Sequence, residues 1–135
     1  MNDDFVTWDD VYSVGFKPID DQHKELVKMI NELFEGCEKG AAAADKTFLQ
    51  TIKGAAEYAR SHFSDEDKFM LQAGYPNLNE HRKLHDDFLA TVLKAIQEFK
   101  TGNTAPIDLA RFLKKWLLTH IAEADKQYAP YLAKL

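Results

Sequence analysis

Seven side chains stand out as able to do chemistry together: the chain's five histidines, one glutamate and one aspartate. His62 and Glu66 are four apart in His-Phe-Ser-Asp-Glu, so on a helix both project from one face. His81 and His85 repeat that spacing in His-Arg-Lys-Leu-His. His120 and Asp125 are five apart, just over one helical turn, which places them on neighbouring faces from which they can converge. His23 stands alone. Imidazole and carboxylate together are metal-ligand chemistry, suited to iron, zinc, copper or nickel, and seven ligands exceed the needs of one ion. Two ions sharing carboxylate bridges are the natural solution. The sole cysteine, Cys37, excludes an internal disulfide and a thiolate cluster, and reads as a small buried residue at a helix end. The zinc-protease pattern His-Glu-x-x-His is absent, because Arg82 stands where that glutamate would be. So is Glu-x-x-His, the mark of carboxylate-rich di-iron oxidases; only Asp20 precedes a histidine, His23, at that spacing.

The elements that must position these groups are four helices. Apolar residues recur with a 3.6-residue period in four segments divided by breakers. The first runs from about Asp20, a plausible N-cap, to Cys37, with Ile19, His23, Leu26, Val27, Ile30, Leu33 and Phe34 on one stripe; Gly36 and Gly40 close it. The second starts near Asp45, another candidate cap, after an alanine run, Ala41 to Ala44, assigned to the connection. It continues to about Ala73 through Phe48, Ile52, Ala55, Ala59, His62, Glu66 and Phe69, and Gly74 and Pro76 end it. The third spans about Leu78 to Lys100, with His81, Leu84, His85, Phe88, Val92, Ala95 and Phe99, and stops at Gly102. The fourth begins at Pro106, a good first-turn residue, and reaches Tyr128 or beyond through Leu109, Leu113, Trp116, His120 and Ala124. Short connections between long helices favour an all-α, antiparallel up-down-up-down four-helix bundle. The expected organisation is one domain over 1–135, with a bundle at 19–133 and an N-terminal arm at 1–18. The arm is too apolar for a free tail (Phe5, Val6, Trp8, Val11, Tyr12, Val14, Phe16), while Gly15 and Pro18 break regular structure.

Register arithmetic shows that the polar groups can meet. In an antiparallel pair, residues equally distant from the turn lie level. A second turn centred near 75 and 76 makes Glu66 level with His85. A third turn near 103 sets His81 against Asp125 and His85 against His120. A first turn near 41 puts His23 close to Ala59–His62. An error of one residue moves a level by only ~1.5 Å. Taken singly, each group has an ordinary explanation: a hydrogen-bonded core histidine, or a helix-face hydrogen bond between His62 and Glu66. Taken together, five core-facing histidines and two acids in one slab have none, because a buried carboxylate costs several kcal/mol unless it is paired or metal-bound. No Arg or Lys shares these faces.

Composition narrows the setting. With 45% apolar and 29% charged residues, 135 residues can bury a real core. A net charge of −5, with lysines interspersed among acids and Lys114-Lys115 on a solvated face, argues against nucleic acid as a partner. No run approaches the ~20 apolar residues of a membrane span. Met1-Asn2-Asp3-Asp4 lacks the basic and apolar regions of a signal peptide, so a cytoplasmic location is expected.

At these motifs the chain resembles the hemerythrin family, above all the single-domain bacterial members, over nearly its whole length. The resemblance takes in the arm with Trp8 and Val14-Gly15, Ile-Asp-x-Gln-His ending at His23, and His-Phe-x-x-Glu at His62–Glu66. It continues through His-x-x-x-His at His81–His85 and His-Ile-x-x-x-Asp at His120–Asp125. Asp67 stands where many members carry a second glutamate. The resemblance implies two iron ions bridged by an oxo or hydroxo group. One would be held by His81, His85 and His120, the other by His23 and His62, with Glu66 and Asp125 bridging. It also implies that Leu26, Phe63, Trp116 and Ile121 line an oxygen pocket beside the open position of the second iron.

The implied function is reversible dioxygen binding for transport, storage or delivery, without catalysis. The expected protein is a monomer, with an oxygen-using enzyme as candidate recipient. The alternatives are an oxygen or redox sensor, or a nitric oxide- or peroxide-reducing enzyme. A third is a bundle that metal merely stabilises.

Overall fold

The apolar stripes fold as four helical columns in a computed structural model that describes residues 5–38, 41–102 and 106–135, with the backbone alone at 38 and 41–48. They are α1 (Lys17–Glu38), α2 (Ala41–Ala73), α3 (Leu78–Lys100) and a fourth column in three continuous pieces. Those pieces are α4 (Pro106–His120), a π-helical stretch (Ile121–Asp125) and α5 (Lys126–Leu132). α1 packs on α2 and α4, α2 on α3, and α5 returns against α2. Among the described residues no helix is long and apolar enough to cross a membrane.

Several boundaries differ from the sequence expectation, each for a local reason. α1 starts at Lys17, so Pro18 lies in its first turn, where a missing N–H costs nothing. Asp20 is therefore inside the helix and does not cap it. Its carboxylate accepts hydrogen bonds from the Ser13 hydroxyl (2.5 Å) and the Val14 N–H (2.9 Å), which tie the arm to α1. Gly36 lies within α1, where burial outweighs its poor helix propensity. α2 begins at Ala41, ahead of Asp45, because a run of alanines is the best of helix formers. Gly40 and the Phe48 side chain lie outside the described residues. Cys37 sits half-buried near the end of α1.

The end of α2 follows the expectation closely. Gly74 takes φ +71°, its N–H reaches the Leu71 carbonyl, and the Tyr75 N–H reaches the Met70 carbonyl. This pattern uses up carbonyls left open at a helix end, and Met70 and Tyr75 pack together beneath it.

The buried line on α3 is His81, His85, Phe88, Val92 and Ile96. Leu84, expected on that stripe, is 43% exposed: it sits one position off the i, i+4 line. The arm lies along the bundle as a packed strap. Phe5 stacks on Phe34 at 4.2 Å, and the Asn31 amide exchanges two 2.8 Å hydrogen bonds with the Val6 backbone. Val11 is the exception in the arm and faces solvent.

Two apolar clusters result. The larger runs through Leu26, Ile30, Leu33, Ile52, Phe63, Val92, Leu113 and Leu117. The smaller gathers Val14, Ile19, Met70, Tyr75, Tyr128 and Leu132. Along every column the polar residues fall between them.

Candidate metal centre

Each column delivers its polar side chains at one level. α1 brings His23, α2 brings His62 and Glu66, α3 brings His81 and His85, and the fourth column brings His120 and Asp125. All seven are buried, with Glu66, Asp125 and His23 fully so. The pairs expected from register meet. His85 Nε2 is 3.3 Å from Glu66 Oε1 and 3.1 Å from His120 Nε2, and His81 Nε2 is 2.9 Å from Asp125 Oδ1. The His23 and His62 rings stand edge to face at 4.8 Å.

The π-helical stretch solves the awkward i, i+5 spacing. A wider turn adds a residue and brings Asp125 back over His120, so His120 Nε2 and Asp125 Oδ1 are 3.0 Å apart. It also explains why Asp125 is fully buried and Ala124, expected on the inward stripe, is only half-buried.

The two carboxylates divide their oxygens. Asp125 turns Oδ1 to His81 and His120 and Oδ2 to His23 at 3.1 Å. Glu66 Oε1 lies 3.1 Å from His62 and 3.3 Å from His85. The groups sort into two sets of converging donors, one of Glu66, His81, His85, His120 and Asp125, the other of His23, His62 and Glu66. None of the ion pairs at Glu66 or Asp125 involves Lys or Arg.

This arrangement fits a metal pair better than a hydrogen-bonded core. His23 Nε2, His81 Nε2, Glu66 Oε1 and both Asp125 oxygens are buried without a hydrogen-bond partner among the described residues. Buried polar atoms left unpaired cost about 1–3 kcal/mol each, so lone pairs gathered on one point call for a cation. The electrostatics agree. Burial pushes the Asp125 carboxyl up, but His120, His23 and His81 hold it well below the usual carboxylate range. Burial and Asp125 push Glu66 up, and His62 and His85 more than reverse this. Both acids are therefore held in the anionic form a cation would need.

Two supporting residues escape a search for ligands alone. The Gln22 amide oxygen lies 2.6 Å from His62 Nδ1, where it accepts that proton and leaves Nε2 free to bind metal. Tyr128, fully buried, donates its hydroxyl to Glu66 Oε2. Burial, Asp125 and Glu66 raise that phenol well above its ordinary range, so it keeps its proton. Tyr128 lies three residues beyond Asp125, on the inward face once the π turn is counted.

On the other side of the slab lies a cavity of about 30 Å³ with an entirely apolar wall. Leu26, Phe63 and Trp116 are among the residues that line it, together with Leu117. Ile121 is fully buried in the adjoining core and does not line this cavity. The Phe63 ring stacks on His85 at 3.8 Å and Trp116 on His120 at 4.4 Å, so the cavity shares its walls with the histidines. It has room for a small molecule but no polar group to hold water.

Known proteins share this plan. Residues 14–132 match the hemerythrin HHE cation binding domain. A bacteriohemerythrin of Stenotrophomonas maltophilia is 31% identical over 92% of this chain and 79% of its own length. A myohemerythrin of Theromyzon tessulatum is 30% identical over 90% and 88%. A wild-type hemerythrin crystal structure superimposes with a TM-score of 0.84 at 27% identity, covering 96% of this chain and 98% of that one.

Proposed function

The chain belongs to the hemerythrin family, and from that premise we propose that it binds dioxygen reversibly at a pair of iron ions. His81, His85 and His120 would hold one iron and His23 and His62 the other, with Glu66 and Asp125 shared between them. Bound there, an iron pair would supply the two-electron redox chemistry that reversible oxygen binding requires.

The observation that carries this reading is the asymmetry of the donor sets. Three histidines converge on one side and two on the other, with Glu66 common to both sets and Asp125 Oδ2 reaching to 3.1 Å from His23. A metal on the poorer side would have fewer protein ligands and so room for an outside one, and open positions are where metals bind exogenous molecules. Beside the slab is an apolar cavity sized for a small neutral guest.

The remaining residues act on protons and water. The cavity wall of Leu26, Phe63, Trp116 and Leu117 excludes water and offers no acid that could protonate reduced oxygen and release it as peroxide. The Tyr128 hydroxyl at the centre is committed to Glu66. Gln22 holds His62 in one tautomer. This favours return of oxygen unchanged over its consumption, and so a carrier or store over a reductase.

The test is optical. Protein loaded with ferrous iron under argon should be colourless, gain charge-transfer absorption in air and lose it under vacuum through repeated cycles. Irreversible bleaching, or peroxide released at each cycle, contradicts the proposal.

A further inference from the structure

We propose that Asp67 is a positioning residue for the centre: its carboxylate receives the Nδ1 proton of His85 and so fixes Nε2 as the inward donor. The inference rests on the di-iron reading above and extends it to a residue outside the ligand set. Asp67 Oδ1 and His85 Nδ1 face each other at 4.0 Å across the α2–α3 seam. Both atoms are buried, and neither has a hydrogen-bond partner among the described residues. A closure of about 1 Å gives an ordinary hydrogen bond.

The side chains allow that closure from one direction. The His85 ring is held by Phe63, stacked nearly parallel against it at 3.8 Å, so it has little freedom. Asp67 is partly exposed and can move, and its other oxygen is steadied from outside by Arg82 Nε at 3.2 Å. Two neighbouring acids of α2 thus divide the ring between them, with Glu66 facing Nε2 and Asp67 facing Nδ1.

The consequence is an electronic difference across the centre. His62 is backed by the neutral amide of Gln22, and His85 by an anion. A carboxylate behind a ligating imidazole strengthens it as a donor and favours the more positive oxidation state of its metal. Asp67 therefore lowers the reduction potential on the three-histidine side.

Asp67→Asn, Asp67→Glu and the parent chain, each loaded with iron, test this by mediated redox titration and by chelator competition. Asp67→Asn should raise the midpoint potential and weaken metal retention by about tenfold or more, and Asp67→Glu should recover most of both. The unfolding midpoint of the metal-free protein should stay the same in all three. An Asp67→Asn protein equal to the parent in potential and retention overturns the proposal, as does an Asp67→Glu protein shifted as far as Asp67→Asn. Should the parent chain itself take up no iron, it is the di-iron reading that fails.

Discussion

The two apolar clusters on either side of the polar slab are built differently. The larger one stacks Phe63 and Trp116 on the histidines and, with Leu26 and Leu117, lines a cavity without a polar atom in its wall. The smaller one carries hydroxyls: Tyr75 and Tyr128 are buried there with Tyr131 packed against them, and Tyr128 reaches Glu66. One side can admit an apolar guest. The other holds Glu66 in place. A bundle that only needed a core would have no reason to treat its two ends unequally, and the difference separates binding a metal pair from using it.

Four substitutions break or sharpen that contrast. The largest effect belongs to the slab itself. Glu66→Ala removes the carboxylate common to both donor sets and should prevent the pair of metals from assembling, as elemental analysis after iron loading would show. Next is Leu33→Ala, deep in the larger cluster, which should cost about 2–5 kcal/mol in denaturant unfolding of the metal-free protein. The loaded protein's metal content should be unaffected. Tyr128→Phe keeps the ring and deletes one hydrogen bond to a charged acceptor. Its expected cost is about 1.5–3 kcal/mol, read as lower thermal stability of the metal-bound form, with the oxygen side untouched. The smallest change is Trp116→Phe. Metal content should hold, while stopped-flow release of oxygen changes, because Trp116 stands between the apolar cavity and an outer groove lined by Leu84, Phe112 and Lys115. Equal effects of Tyr128→Phe and Trp116→Phe on oxygen release would erase the distinction between the two sides.

Much of this was legible in the sequence because helix period and antiparallel register are nearly deterministic for long helices. Glu66 meets His85, and His81 meets Asp125, at the levels that counting from the turns gives. What escaped depends on departures from that regularity. The π turn at Ile121–Asp125 has no propensity signature, yet it decides that Asp125 and Tyr128 face inward while Ala124 is carried aside. Asp20 looked like a cap because the arm's need for it, through Ser13 and Val14, is a tertiary fact. Leu117, left off the fourth stripe, lines the cavity with Leu113 and Trp116, and an apolar residue gives no sign in the sequence that it borders a void.

The most direct test of the central claim is metal stoichiometry of the full chain loaded anaerobically with ferrous iron and freed of excess. The account predicts about two iron ions per chain, held against gel filtration. A single ion per chain, or retention of zinc with exclusion of iron, would contradict it.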